Sequence, residues 1–340
     1  MQRIVLIGCG FMGATHGSVY RLLPNAMVGA VVDSRGEAVR ASLRSCGLEE
    51  VPVFTDFATA AAQGDFSVAD ICLPTDLHRS TALQAFESGM HVFCEKPIAL
   101  TMEDARAMTA GAREAGRQLM VGHCIRFWPE YVELKRIIDS GEQGRLLSLS
   151  MGRHAGRPGY SIGDWVNQPE RCLGAALDLH IHDTDFLVHL LGLPHSVTSR
   201  GIRDKTGWSS ITTQYGYGET VVTAEGAWNY PERWGFQMRF SALFEHAALD
   251  FDSRAQPSLT LTIGSMPPVP VDLPQIECLS VETGGNITLL GGYYQELAYF
   301  VDYLERGVPV AMSTGEHATE SLRVVLAEIE SAATGKLLNP

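Results

Sequence analysis

Residues 3–13 read RIVLIGCGFMG, an apolar run that breaks directly into glycines at positions 8, 10 and 13. Few chains can accommodate this order. A buried strand must turn at once into a helix, and Gly8, Gly10 and Gly13 let backbone N–H groups and the helix amino terminus approach a pyrophosphate. The bland alternative is a glycine-rich strand-to-helix turn with no ligand. Three features favour the dinucleotide: the strand before, the helix after (opened by Phe11 and Met12), and Asp33, twenty residues beyond Gly13 at the end of the next apolar run. A carboxylate there accepts hydrogen bonds from an adenosine ribose and repels a 2′-phosphate, which favours NAD. Ser34 and Arg35 follow it and could cradle that phosphate, so NADP stands second.

The first third continues in the same style. Apolar runs at Arg3–Ile7, Met27–Val32, Val51–Phe54, Val68–Leu73, His91–Cys94 and Gln118–Val121 alternate with helical-period segments, the pattern of βαβ units and a parallel sheet. After Gly122 the texture changes. Helices are expected at 130–140 and 177–191 around a loop rich in Gly and Pro. Residues 197–271 read as successive strands of an antiparallel sheet, and helices at 293–306 and 317–334 close the chain. The division expected is a dinucleotide-binding α/β domain over 1–121 and an α+β domain over 122–340.

Composition narrows the classes. A length of 340 residues suits about two domains. A formal charge of −13 with no basic stripe argues against nucleic acid and anionic membranes. Seven scattered cysteines without a CxxC pair argue against a disulfide framework or structural zinc. The amino-terminal apolar run is short for a signal peptide, and no segment approaches the ~18 apolar residues of a membrane span. A reduced, cytoplasmic protein is expected.

A second motif, GMHVFCEKP at residues 89–97, ends a buried strand in Glu95-Lys96-Pro97. It sets two charged side chains at the carboxyl edge of a parallel sheet, where open α/β folds bind ligands. Together with the glycine loop, LPTDLH at 73–78, and an Asp-x-x-x-His segment about eighty residues later, it makes the chain resemble the Gfo/Idh/MocA oxidoreductases, the glucose-fructose oxidoreductase and inositol dehydrogenase family. The resemblance implies a Rossmann domain and a carboxyl-terminal α+β domain on a large open, mainly antiparallel sheet used for homodimer or homotetramer contacts. It also implies a nicotinamide cofactor met by Leu73, Pro74, Thr75, His78, Glu95, Lys96 and His123.

The stretch ALDLHIHDTDF, 176–186, holds two histidines and three aspartates. On a helix over 177–191, Leu177, Ile181, Thr184, Val188 and Leu191 form one stripe, and Asp178, His182, Asp185 and His189 another. His180 falls off that face. A His-x-His pair suits a metal better on a strand or loop, and no further ligands have obvious spacing, so no metal is expected here. The resemblance assigns Asp178 and His182 to the active site. Histidine, with an ordinary pKa of about 6.5, can take a hydroxyl proton near neutrality. Asp178 would orient the ring or bind a neighbouring hydroxyl. Lys96 would donate to the developing alkoxide, or act as the base itself if its pKa is depressed.

Other candidates line the expected pocket. By resemblance VGHCIRFWPEY faces the nicotinamide, which makes Arg126 a substrate contact beside His123, although Ile125 stands where many relatives carry a second arginine. The segment from Arg153 to Glu170 reads as a polar loop whose His154, Arg157 and Trp165 cover a sugar, with Trp165 also near the cofactor; a packing role is the alternative for the tryptophan. WNYPERWGF, 228–236, reads as a hairpin turn or a pocket wall. This donor set suits a polyhydroxylated small molecule such as a sugar, sugar derivative or inositol. Three readings follow: an NAD(P)-dependent dehydrogenase acting on CH–OH, an NAD-dependent glycoside hydrolase that oxidises, eliminates and re-reduces with recycled cofactor, and a non-catalytic cofactor-binding protein.

Overall fold

The computed structural model describes residues 1–159, 161–274 and 291–340. Its strands are β1 (Gln2–Ile7), β2 (Ala26–Val32), β3 (Val53–Phe54), β4 (Val68–Ile71), β5 (His91–Glu95), β6 (Leu119–Gly122), β7 (Leu146–Gly156), β8 (Ser196–Asp204), β9 (Gly207–Tyr217), β10 (Thr220–Tyr230), β11 (Gln237–Phe244), β12 (Ala247–Asp252), β13 (Leu259–Ile263) and β14 (Val269–Pro270). Its helices are α1 (Phe11–Tyr20), α2 (Arg40–Ser45), α3 (Phe57–Gln63), α4 (His78–Glu87), α5 (Met102–Glu114), α6 (Pro129–Ser140), α7 (Pro169–Cys172), α8 (Ala175–Asp178), α9 (Ile181–Leu191), α10 (Gly291–Glu305) and α11 (Gly315–Thr334).

Two compact units share these elements. The first holds residues 1–124, 161–165 and 291–319. Its six strands lie in the order β3-β2-β1-β4-β5-β6, every pair parallel. Ile4, Val5 and Leu6 at the centre have no exposed surface, as a strand covered on both faces requires. The reversal of strand order falls between β1 and β4, so the chain ends at Gly8 and Cys72 sit side by side at the carboxyl edge, the usual ligand position in such sheets. The first unit also takes in two later segments, 161–165 and 291–319, beyond the expected division at 121/122. Helix α10 belongs to the first unit, where it packs on α1 and β1.

The second unit holds residues 125–159, 166–274 and 320–340, built on an eight-stranded sheet in the order β14-β13-β12-β11-β7-β10-β9-β8. All neighbours are antiparallel except β7 with β10. Burial alternates along β11, where Met238, Phe240, Ala242 and Phe244 face the core and Arg239, Ser241 and Leu243 face outward, so one face of the sheet packs and the other is open. The antiparallel run expected over 197–271 is present as β8 to β14, but β7 lies in a segment expected as part of a connection. Serines at 148 and 150 and Arg153 mask its alternation, although Leu149, Met151 and Arg153 are buried.

The expected single helix over 177–191 is two helices. Ala175 O accepts from both Leu179 N–H (3.0 Å) and His180 N–H (2.8 Å), an i to i+5 bond that inserts a π-type turn between α8 and α9. Asp178 therefore ends one helix and His182 lies in the first turn of the next.

Candidate active site

In the first unit the glycine loop has the shape a pyrophosphate needs. Gly8 has φ +88°, and a Cβ there would stand 2.6 Å from Cys72 O; at Gly13 a Cβ would meet Gly8 O at 1.9 Å. These two glycines make the turn and its packing possible. Gly10 is different. Its nearest neighbour would be Ile162 Cδ1 at 3.7 Å, which leaves an open cradle over the amino terminus of α1. Gly10 gives that terminus no side-chain cap, and its first turn carries no acid, so the helix itself supplies no carboxylate to compete with a phosphate. The residues fit a dinucleotide phosphate. Phe11 and Met12 are half-buried at the same helix start.

Asp33 is buried at the end of β2. Its Oδ2 accepts from Cys9 N–H (3.0 Å) and Arg35 Nη2 (2.7 Å), and its Oδ1 from Arg35 N–H (3.0 Å) and Nε (2.8 Å). Four donors fill a carboxylate's lone-pair sites. Arg35 also donates to Cys9 O at 2.9 Å, so the arginine lies across the position assigned to the ribose. Burial alone would raise the Asp33 pKa; the bonds from Arg35 and Cys9 outweigh it and hold the carboxyl below its ordinary range. Ser34 is exposed beside this pair.

Leu73, Pro74 and Thr75 form the turn after β4. His78, placed by sequence among the cofactor contacts, is a fully enclosed strut whose Nδ1 lies 3.0 Å from Pro97 O and Nε2 2.9 Å from Leu73 O. It ties the turn after β4 to the turn after β5. Burial pushes its pKa down, and the two carbonyls only partly restore it. Lys96, partly exposed, follows β5, and its N–H donates to Glu95 Oε2 at 3.1 Å. His123 is buried at the end of β6. Trp165 is half-buried on the short helix Ile162–Asn167. Ile162 of that helix, which reaches the Gly10 cradle, escaped sequence reading, because nothing in its type or spacing marks it.

In the second unit the polar stretch 176–186 separates into two groups. Asp185 takes a bidentate pair from Arg126 (Nε 2.8 Å, Nη2 2.7 Å) and accepts from Ser321 Oγ (2.7 Å). Asp183 takes a second bidentate pair from Arg153 (3.0 and 3.1 Å). His180 Nε2 lies 2.7 Å from Glu328 Oε2, and Thr184 donates to Glu328 Oε1 at 2.9 Å. His180, Asp183, Thr184 and Asp185 have no exposed surface. Gly226 makes room for this, since a Cβ there would stand 2.5 Å from His180 Cβ. Asp178 is buried at the end of α8, and His182 is partly exposed in the first turn of α9.

Three expectations change accordingly. Arg126, expected as a substrate contact, is a buried partner of Asp185, with 1% of its side chain exposed, and ties the segment after β6 to α9. His154 lies inside β7, not in a loop, buried with Nε2 3.5 Å from Glu225 and its ring 5.0 Å from Tyr230. Arg157 is spent on Asp204 (2.6 Å) and Thr206 (2.9 Å). In 228–236, Trp228 is core, whereas Trp234 is exposed against Tyr230 and Arg254. Two arginines upstream for two aspartates at i and i+2 were the available sign of the paired core.

Comparison with known proteins covers both units. A family model described as an oxidoreductase family with an NAD-binding Rossmann fold matches residues 2–123, and a GFO/IDH/MocA C-terminal domain model matches 131–249. A 2,7-anhydro-N-acetylneuraminate hydratase of Mediterraneibacter gnavus is 30% identical over 58% of this chain and 51% of its own, so the chain spans about half the length of that relative. A 1,5-anhydro-D-fructose reductase of Ensifer adhaerens is 27% identical over 91% of this chain and 93% of its own. A solved levoglucosan dehydrogenase with NADH and levoglucosan superposes with a TM-score of 0.83 at 22% identity, over 99% of each chain. Among the described residues, no helix is long and apolar enough to cross a membrane.

Proposed function

The chain belongs to the Gfo/Idh/MocA oxidoreductase family, and from that premise we propose that it is an NAD(P)-dependent dehydrogenase of a sugar, sugar derivative or inositol. The observation that carries the reading is the carboxyl edge of the parallel sheet. There an open phosphate cradle at Gly10 and an uncapped α1 occupy one end, and Lys96 follows β5 of the same sheet.

Bound at this edge, a nicotinamide supplies the hydride acceptor. The chain's own residues supply the rest. His182 takes the hydroxyl proton of the carbinol, a role typically worth ~10² to 10⁴ in rate. Asp178 orients it or holds the neighbouring hydroxyl. Lys96 Nζ donates to the substrate oxygen as negative charge develops there. Arg35 turns away from Asp33 to admit the adenosine ribose, and the same motion offers its guanidinium to a 2′-phosphate, so NAD and NADP compete at one switch.

The first experiment mixes the protein with NAD or NADP and a panel of inositols, hexoses, uronic acids and anhydro-sugars, and follows reduced nicotinamide by absorbance. Growth with one group of substrates fits a dehydrogenase and names its class. The hydratase relative supports a second reading, in which oxidation is transient and the cofactor is recycled. That reading predicts product formation with no net reduced cofactor and with NAD retained through purification.

A further inference from the structure

A second cluster of ionisable groups lies wholly inside the first unit, behind the strand that ends at Lys96. His16 on α1, Asp70 on β4, Glu95 at the end of β5 and Glu296 on α10 are all enclosed, with 0%, 0%, 5% and 0% exposure. Three carboxyls face one imidazole, and no lysine or arginine pairs with any of the three among the described residues. Burying an ionised carboxyl without a partner costs several kcal/mol on the order of magnitude seen in proteins; burial pushes Glu296 up toward its neutral form, and a bound cation is the other way to balance the excess acid.

The hydrogen bonds show where. His16 Nδ1 lies 2.9 and 3.1 Å from Asp70 Oδ2 and Oδ1 and 3.3 Å from Cys72 Sγ, which leaves Nε2 on the side of Glu95 and Glu296. A carboxylate holding the far nitrogen of a histidine is the arrangement that orients metal-ligating imidazoles. Nε2 stands 3.2 Å from Glu95 Oε1, yet neither atom makes a hydrogen bond. That spacing is close to the edge of a tetrahedron with bonds of about 2.0 Å, roughly 3.3 Å. Both carboxyl oxygens of Glu296 are buried without any partner. One ligand atom from each of His16, Glu95 and Glu296 lies within 4.8 Å of the other two.

We infer that His16, Glu95 and Glu296 form a structural site for zinc or a similar first-row divalent ion, with Asp70 as the carboxylate that orients the histidine. One nitrogen and two carboxylate donors suit such an ion. The ion balances the excess acid and ties together α1, β5 and α10, three elements that span 280 positions of the chain (Glu296 minus His16). It also fixes Glu95, whose other oxygen accepts the Lys96 N–H. Because the cluster is closed to solvent, the ion enters as the chain folds.

The test uses the full chain purified without an immobilised-metal step. Elemental analysis is expected to find about one equivalent of zinc per chain after gel filtration. Refolding from denaturant with Co²⁺ is expected to give a visible d–d band, whereas refolding with chelator gives a protein of lower melting temperature. His16→Gln and Glu296→Gln lose the ion, Asp70→Asn weakens it by about 10- to 100-fold, and Cys72→Ser keeps it. Wild-type protein that is metal-free as purified, shows no Co²⁺ band and melts identically with and without zinc overturns the inference. So does metal that stays bound in both His16→Gln and Glu296→Gln.

Discussion

Each unit holds a buried charged cluster among its described residues, and the two are built on opposite rules. Around α9 three buried carboxylates have matched donors: Asp185 with Arg126, Asp183 with Arg153, Glu328 with His180 and Thr184. Around His16 the acids outnumber the bases, and Glu296 keeps both oxygens unmet. The matched cluster is complete in itself and positions a helix. The unmatched one asks for a further charge. Buried charge is therefore a sign of function only where its partners run out, and composition alone would not separate the two cases.

The comparison can be broken most severely in the second unit. Asp185→Ala leaves Arg126 enclosed and unpaired and should cost ~3 to 5 kcal/mol in denaturant unfolding, while the double change Arg126→Met with Asp185→Leu should recover most of that loss. Equal losses in the single and double variants would show that the pair is not the source. In the first unit, Glu296→Leu should lower stability by ~1 to 3 kcal/mol when zinc is present during folding and be neutral or stabilising when it is withheld, because only then is the glutamate an uncompensated acid. The same result in both conditions would erase the contrast between the clusters.

Smaller effects sharpen it. Thr184→Val removes one donor from Glu328 and should cost ~1.5 to 3 kcal/mol, the range for a hydrogen bond to a charged group. Asp33 offers a pH test outside both clusters. Its folded pKa lies below the unfolded value of ~3.9, so the stabilisation is fully present above about pH 4 and is lost as pH falls through the folded pKa. Asp33→Asn should lower stability at pH 7 and flatten that acid limb. An unchanged acid limb would mean that Arg35 and Cys9 do not hold the carboxylate in solution.

What could be read in the sequence follows the same division. Local signals were legible: the apolar run and glycines that make β1, the turn and α1, the strands of the parallel sheet, and the alternation in β11. Residues whose role depends on a partner far along the chain were not. Arg126 and His154 sit in motifs that look ligand-facing, and only the tertiary pairing with Asp185 and the place of His154 inside β7 assign them to the interior. Helix periodicity put Asp178 and His182 on one face, but the bond from His180 N–H back to Ala175 O changes that register. His16 and Glu296, 280 positions apart, carry no joint signal in one sequence.

The proposed activity rests on Lys96 and His182 acting on a bound hydroxyl at a loaded nicotinamide site. The most direct measurement compares wild type with Lys96→Met on the best substrate of the panel, with NAD binding followed in parallel by protein fluorescence. The account predicts that reduced nicotinamide falls by at least ~10²-fold in turnover while NAD affinity changes little. Turnover unchanged in Lys96→Met, or lost only because NAD no longer binds, would contradict it.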